Sequence, residues 1–523
     1  MAHDVKQDPK QEFSKWRAFF WPVHGFELKK ILPMLALFFF ISFNYTILRD
    51  TKDTLIVVTS SAGAKAIPFL KFWGVLPAAI IFMLIYSKLS NMLSKANLFY
   101  VTIAPFLLFF AIFPTLIYPN RDALQLDTLS NYLSGIFPIG AKGLVESIRS
   151  WHYSIFYILS ELWGSAVLSL LFWGFANDIT KVSEAKRFYA LFGLGANIAL
   201  YFSGEAIVRV SDIRKFLPPD VDAWQVSLNY LMGMVVIAGL AVIGIYAWIN
   251  RNILTDARFY NPAELKAKKS KTKMSIKDSL MFLARSPYLL CLALLVICYG
   301  VSINLVEVTW KEQLGLQYPD SNAYSAFMGR FSQTTGIVTV LMMLFVGGNC
   351  IRKGWGFAAM ITPVVLLITG VGFFSFVLFR DSLGAYITAL GSTPLMLAVL
   401  FGAAQNIMSK SAKYSLFDPT KEMAYIPLDP ESKVKGKAAI DVVGARLGKS
   451  GGSLIQQALM ILCSATSLLV ITPYIAGILA VIIVIWLIAV RVLDKKFVAL
   501  TQEKGVPAGG KTHESSKSAA ASA

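Results

Sequence analysis

The sequence predicts an all-α polytopic membrane protein, and three observations carry that prediction. Of its 523 residues, 56% are hydrophobic and only 15% charged, with a mean hydropathy of +0.59, whereas a soluble domain carries about 25% charged residues. The apolar residues gather into twelve runs, most of them near the roughly 20 residues that a helix needs to cross a bilayer. The basic residues between those runs alternate between rich and poor segments, as cytoplasmic and external loops do. A soluble enzyme, a secreted disulfide scaffold and a fibrous protein are excluded at this level.

The runs of the first half are Ile31–Val58, Ile67–Tyr86, Leu98–Tyr118, Trp151–Ala176, Phe188–Val208 and Leu228–Ile249. Those of the second half are Tyr288–Trp310, Ala323–Val346, Trp355–Phe379, Leu395–Ser409, Ala438–Cys463 and Ile471–Val490, the tenth and eleventh having the least distinct edges. Pro77, Pro105, Pro363 and Pro473 fall inside runs, which lipid-embedded helices tolerate. Cys291, Cys298, Cys350 and Cys463 lie in or beside apolar runs without paired spacing, so reduced thiols are expected. Four scattered histidines and no CxxC give no zinc site, and neither a metal nor a cofactor is expected. The N-terminus, MAHDVKQDPKQEFSKWRAFFWP, lacks the apolar core of a signal peptide and contains acids, unlike a transit peptide.

With the N-terminus placed inside, 34 of the 49 basic residues fall in cytoplasmic segments, 9 on the other side, and 6 within helices (Arg49, Lys52, Lys71, Arg330, Arg446 and Lys449). Both termini are therefore expected in the cytoplasm. The net charge of +18, which in a soluble protein would suggest nucleic acid, reads as topological here, so the expected partner is the bilayer and not nucleic acid. The richest segment, KAKKSKTKMSIK (Lys266–Lys277), divides six runs from six. It reads as a solvated linker, with a lipid-headgroup or partner site as the alternative. The expected organisation is a cytoplasmic segment (1–30), a six-helix half (31–249), the basic linker (250–287), a second six-helix half (288–493) and a cytoplasmic tail (494–523).

The halves repeat weakly. SFNYTILRDTK (Ser42–Lys52) and SINLVEVTWKE (Ser302–Glu312) align with Asn44 on Asn304, and FGLGANIALYFSG (Phe192–Gly204) aligns with DVVGARLGKSGGS (Asp441–Ser453) with Gly195 over Gly444. Twelve helices in two related halves point to a major-facilitator-like architecture around a central pathway.

Charges inside the runs are the functional candidates, because a charge at the bilayer centre costs at least a few kcal/mol. Lys71, early in the second run, either snorkels to the outer interface or serves the pathway. Glu161, mid-run in FYILSELWGSAVLSLLFW, cannot snorkel easily and needs a partner or a pathway. Glu307 shares a helix face with Asn304 three residues earlier. Arg446 and Lys449 share another face, in VVGARLGKSGGSLIQQALM, amid Gly436, Gly444, Gly448, Gly451 and Gly452. Two cations on one face read as an anion site, with Asp441 as the alternative structural partner. GARLGKS is one residue short of a P-loop and follows no soluble strand, which rules out an ATPase reading.

The first run ends in NYTILRDTKDTL, where Arg49, Asp50, Lys52 and Asp53 crowd together. They form either a self-neutralising cluster at a helix end or part of a cationic pathway. Arg330, early in the eighth run, could equally snorkel. Core cations outnumber the mid-core acids Glu161, Glu307 and Asp441, so the expected substrate is an anion, and several cations suit a polyphosphate. Tyr157 and Tyr153 stand one and two turns before Glu161; they read as a stacking wall for a base or as ordinary packing.

The motifs NYTILRDTKDTL, FLKFWGVLPA, SELWGSAVLSLLFWGFAN, ALFGLGANIA, INLVEVTWK and GKSGGSLIQQ resemble those of the nucleotide transporters of plastids and obligate intracellular bacteria, the non-mitochondrial ATP/ADP translocases. The resemblance spans about residues 25 to 500. It implies twelve helices and an antiporter that imports ATP in exchange for ADP, with phosphate in some members. It also implies that Lys71, Glu161, Glu307 and Lys449 are the charged positions on which transport depends. The N-terminal thirty residues lack the length of a plastid extension, so a bacterial inner membrane is the expected location. The expected function is therefore ATP/ADP exchange by a monomer through alternating access, with a nucleotide–proton symporter as the alternative. The substrate set is Lys71, Glu161, Glu307, Lys449, Arg446, Asn304, Tyr157, Lys52 and Arg49. An enzyme is not expected, since no nucleophile–base pair or Walker motif is present.

Overall fold

The computed structural model describes residues 21–256, 259, 281–283, 285–389, 391–440 and 444–503. The basic segment Lys266–Lys277, Asp441 and both ends of the chain lie outside the described residues. Every regular element among those described is helical. The first six long helices are α1 (Gly25–Thr59), α2 (Ala64–Met92), α3 (Lys95–Ile117), α4 (Trp151–Ile179), α5 (Val182–Ser211) and α6 (Ala223–Asn252). The second six are α7 (Pro287–Gln317), α8 (Ser321–Arg352), α9 (Trp355–Leu378), α10 (Pro394–Met423), α11 (Ala445–Leu462) and α12 (Leu468–Glu503).

Side chains set several of the starts. Ser94, Asp222, Ser286, Asp320 and Thr393 each accept a hydrogen bond from the backbone N–H three residues on, at the heads of α3, α6, α7, α8 and α10. Each satisfies a donor that the helix cannot pair itself.

Ten of the described helices are long and apolar enough to cross a membrane, and the count reaches eleven if Arg380–Ala389 and α10, joined at a 98° bend, form one span. The expected twelfth, α11, falls outside that set. Its described part, Ala445–Leu462, lies within the predicted Ala438–Cys463 and carries Arg446, Lys449, Gln456 and Gln457 in 18 residues. It is held by packing, not by hydropathy. A Cβ added to Gly448 would lie 3.0 Å from the Cα of Gly300, and one added to Gly452 would lie 2.9 Å from the Cβ of Asn304. The glycines thus let α11 press its backbone against α7. In the other direction, α7 and α10 run past their predicted ends at Trp310 and Ser409, to Gln317 and Met423.

The two sets of six pack alike. α1 lies against α5 and α6, as α7 lies against α11 and α12. Gly195 of α5 faces Leu35 of α1, and Gly444, just before α11, faces Val296 of α7, in keeping with the register read from the sequence. The sets meet where α5 crosses α8 and α2 crosses α11.

Several helices contain a wide turn of π-type hydrogen bonding, at Leu55–Thr59, Leu70–Val75, Gly164–Phe172 and Lys413–Phe417. Pro77 follows the second, and its missing N–H frees the carbonyl one turn back. Such turns re-aim side chains and cluster at functional sites. Lys71 sits inside one, and Glu161 and Lys410 just before two others.

The α5–α8 crossing has no slack. A Cβ at Gly204 would lie 2.5 Å from the Gly329 carbonyl oxygen, and one at Gly336 would lie 2.8 Å from that of Asn197. Gly204→Val is expected to force the helices apart and to destabilise the fold by about 1–3 kcal/mol, as overpacking does. Thermal unfolding in detergent micelles should show a lowered midpoint, while Gly244→Val, where a Cβ meets nothing within 4 Å, should leave it near wild type.

Candidate functional site

The charges at the end of α1 turn inward. Asp50, Lys52 and Asp53 are buried, and the residues around them reach into the second set of helices. Arg49 donates from Nε to Asp50 Oδ1 at 2.9 Å and from Nη2 to Ser332 Oγ at 2.7 Å. The Ser332 hydroxyl donates in turn to Asp50 Oδ2 at 2.6 Å. Lys52 donates to Asp53 Oδ1 at 2.9 Å and lies 3.1 Å from Glu161 Oε1. Its Nζ also stands 4.0 Å from the centre of the Tyr157 ring, a cation–π contact.

The second carboxylate oxygen of Asp53 lies 2.8 Å from Lys311 Nζ of α7, which is 3.3 Å from Glu307 Oε1 one turn away. Glu307 then meets Lys71 Nζ at 3.8 Å and Lys410 Nζ at 3.7 Å. Lys71 also donates to Asn304 Oδ1 at 3.4 Å, and Asn304 Nδ2 donates to Ser453 Oγ at 3.0 Å. One chain of alternating charge therefore runs from Glu161 through Lys52, Asp53, Lys311 and Glu307 to Lys71 and Lys410. It crosses between the halves at Asp53–Lys311 and at Lys71–Glu307.

Exposure splits this chain into two layers. Lys52, Asp53 and Lys311 are 1–2% exposed, whereas Lys71 and Glu307 are 17% and 18% exposed, Lys410 20% and Glu161 24%. The sealed layer ties α1 to α7. The accessible layer presents cations from both halves around two carboxylates.

Of the residues singled out in the sequence, the fold brings Lys52, Lys71, Tyr157, Glu161, Asn304 and Glu307 into one network, with Arg49 in a separate triad with Asp50 and Ser332. Tyr157 is buried with its ring against Lys52. Arg330 is exposed on α8, away from it. Arg446 and Lys449 stand on α11, which packs on α7, but their side chains lie outside the described residues. Sequence reasoning missed Lys311 and Lys410. The signal was present: Lys311 is four residues after Glu307, and Lys410 is the first residue past the predicted edge of its run. Asp50 and Asp53, read as neutralising their own neighbours, also bridge to Ser332 and Lys311.

Further ties between the halves lie at one end of the molecule. Thr59 Oγ1 and Ser321 Oγ lie 3.0 Å apart, Gln457 Nε2 donates to the Pro68 carbonyl at 3.0 Å, and Arg214 pairs with Asp320. Other polar bonds from one half to the other lie in the middle, such as Asp53–Lys311 and Lys71–Glu307. At the opposite end, Lys30–Glu184 and Lys437–Glu422 stay within a half.

Two sets of six helices meeting at α5–α8 and α2–α11 around a charged centre define a membrane transporter of major-facilitator architecture. Solved structures agree on the fold. A bacterial homologue of the iron transporter ferroportin in the inward-facing state matches at a TM-score of 0.53 and 12% identity, over 92% of this chain and 100% of that one. A D-xylose–proton symporter matches at 0.52 and 15%, over 91% and 97%.

The chain belongs to the TLC ATP/ADP transporter family, whose pattern it matches over residues 6–497; it is a transporter and not an enzyme. It is 59% identical over 510 residues to ADP,ATP carrier protein 1 of Chlamydia pneumoniae, covering 95% of this chain and 99% of that one. It is 53% identical over 477 residues to the chloroplastic ADP,ATP carrier protein 1 of Arabidopsis thaliana, covering 91% and 75%. It is 44% identical over 498 residues to ADP,ATP carrier protein 1 of Rickettsia bellii, covering 93% and 97%.

The sealed Asp53–Lys311 pair tests the layering. Removing one partner strands the other charge in a low-dielectric interior, which costs about 3–5 kcal/mol. Asp53→Asn and Lys311→Gln are each expected to lower thermal stability sharply, and the double variant to lose less than the sum of the two. A double-mutant cycle on unfolding midpoints measures this; additive losses would mean the two residues are not coupled.

Proposed function

We propose that the protein imports ATP in exchange for ADP across a bacterial inner membrane by alternating access, as a monomer with both termini in the cytoplasm. The observation that carries this reading is the accessible layer. Lys71 of the first half and Lys410 of the second converge on Glu307 in the middle of the bundle. Cations from both halves can then hold one polyphosphate, and neither half holds it alone. The names of the relatives, ADP,ATP carrier proteins, point to the same substrates.

In this reading Lys71, Arg49, Arg446 and Lys449 serve the phosphates. Glu161 and Asn304 serve polar groups of the nucleoside, since a carboxylate in contact with phosphate would be repelled by several kcal/mol in a low-dielectric site. Lys52 and Tyr157 hold Glu161 in place from behind. The working units are residues 31–249 and 288–493, joined by the basic linker 250–287 and flanked by the cytoplasmic segments 1–30 and 494–523. The ties at Thr59–Ser321 and Pro68–Gln457 close the external end, so the site is reached from the cytoplasm. Phosphate accompanies ADP as a co-substrate.

Uptake of labelled ATP into proteoliposomes tests the exchange. ADP-loaded vesicles should take up ATP, and unloaded ones should take up only a small fraction as much. Insensitivity to an uncoupler is expected; equal uptake by loaded and empty vesicles, or collapse on adding the uncoupler, would favour a nucleotide–proton symporter.

The layers also predict different phenotypes. Lys71→Gln should weaken ATP binding by about tenfold to a hundredfold, the loss of one charge-assisted hydrogen bond, with thermal stability near wild type. Lys52→Gln should lower stability first, because Asp53 and Glu161 lose their shared cation. Isothermal calorimetry and unfolding midpoints on the two variants separate these outcomes.

A further inference from the structure

Lys410 belongs to no motif picked out in the sequence, yet its surroundings are those of a ligand-facing cation. It lies deep in α10, where its Nζ is 3.7 Å from Glu307 and 4.9 Å from the centre of the Phe331 ring. It is partly exposed, unlike the lysines of the sealed layer. Its one carboxylate is shared, because Glu307 also meets Lys71 and Lys311. The close, sealed contact is Lys311 at 3.3 Å; the two accessible lysines stand off at 3.7 and 3.8 Å. A single carboxylate cannot neutralise three lysines, so the two at the accessible face keep unspent affinity for an anion.

The fold repeats this arrangement with the signs exchanged. In the first half the α1 residue is the cation and the α4 residue the acid, Lys52 with Glu161. In the second half the α7 residue is the acid and the α10 residue the cation, Glu307 with Lys410. The α1–α4 and α7–α10 contacts are corresponding contacts of the two halves. One half therefore offers a carboxylate to the central space from its fourth helix, and the other offers an ammonium.

We propose that Lys410 is a phosphate ligand of the transporter, and that Glu307 is an internal anion which a phosphoryl group displaces from between Lys71 and Lys410. The inference rests on the nucleotide-exchange reading and adds to it a ligand and a competitor within the site. On displacement, Glu307 keeps Lys311 and so remains paired. Lys71 and Lys410 exchange one carboxylate for several phosphate oxygens. The nucleotide then takes over a bridge between α2 and α10, and so between the two halves. Because the competitor is a carboxylate, the advantage of the ligand grows with its negative charge, which favours a triphosphate or diphosphate over a monophosphate.

The test is calorimetric binding to purified full-length protein in detergent, with ATP, AMP and inorganic tripolyphosphate as probes. Lys410→Gln should weaken ATP binding about tenfold to a hundredfold and AMP binding severalfold less, while Lys410→Arg should stay within a few-fold of wild type for ATP. Glu307→Gln should bind tripolyphosphate several-fold more tightly than wild type, although it exchanges poorly. Equal losses for ATP and AMP in Lys410→Gln, or unchanged or weaker tripolyphosphate binding by Glu307→Gln, would overturn the proposal. If these variants do not fold, wild-type protein decides it: tripolyphosphate should displace labelled ATP and adenosine should not, and failure of tripolyphosphate to compete is a refutation. The vesicle assay on wild type separates the two readings, since absence of ATP/ADP exchange there would refute the exchange reading whatever the binding data show.

Discussion

A charge inside a bilayer-embedded bundle must be paired, and this requirement organises the centre of the molecule. The desolvation cost of each lysine in the sealed layer is offset only by a carboxylate at close range. The pairing cannot be completed within one helix, because α1 alone holds two cations and two acids in a geometry that leaves oxygens of Asp50 and Asp53 directed at α8 and α7. The halves are thereby joined at their centre by electrostatics as well as by packing. An interface of this kind has few stable arrangements, since sliding by a fraction of a helical turn would strand a charge.

The same requirement gives a physical reason for coupling. In the proposed cycle, opening the end tied at Thr59–Ser321 and Pro68–Gln457 would pull Asp53 from Lys311 and Lys71 from Glu307, and the released charges would need new partners. A bound polyphosphate supplies anionic oxygens for the accessible lysines at that moment. Without one, the barrier retains the full cost of separating the pairs. A carrier built this way returns across the membrane readily only when loaded, which is the behaviour of an exchanger and not of a channel or a uniporter. Packing shapes the path of the motion. α11 is fused to α7 by glycine contacts within one half, so Lys449 and Glu307 are carried on one rigid pair. The glycine crossing of α5 on α8 joins the halves where backbone meets backbone, so the halves can rock there without side chains having to interdigitate anew.

The helical plan was legible because hydropathy reports what lipid demands of a helix. It failed where burial inside protein replaced burial in lipid. The predicted seventh and tenth runs stop at Trp310 and Ser409 because the next residue in each case is a lysine, and a hydropathy window treats lysine as the start of a loop. Both lysines are interior, paired with Glu307, so the helices continue. The eleventh run was among those with the least distinct edges in the sequence, because its glycines and glutamines mark a helix packed on α7 and not one facing lipid. The candidate site was legible wherever a charge interrupted an apolar run, as with Lys71, Glu161 and Glu307. The contact of Lys52 with the Tyr157 ring was not legible, because helix-face spacing shows which side chains share a face and not which residue of another helix meets them.

The exchanged signs of Lys52–Glu161 and Glu307–Lys410 bear on how a duplicated fold binds an asymmetric substrate. Two identical halves would present a symmetric centre, suited to a ligand that is alike at both ends. A nucleotide has a tri- or diphosphate at one end and an uncharged nucleoside at the other. Placing an accessible acid on α4 and an accessible cation on α10 gives the two sides of the centre opposite character while leaving each helix contact neutral. Reversing a pair also costs less than removing one, since both members stay paired throughout the fold. The asymmetry needed for an oriented substrate is thus available at little cost to stability. It sits in four side chains of otherwise corresponding helices, one sealed in each half's contact or shared with its neighbour, and one left facing the pathway.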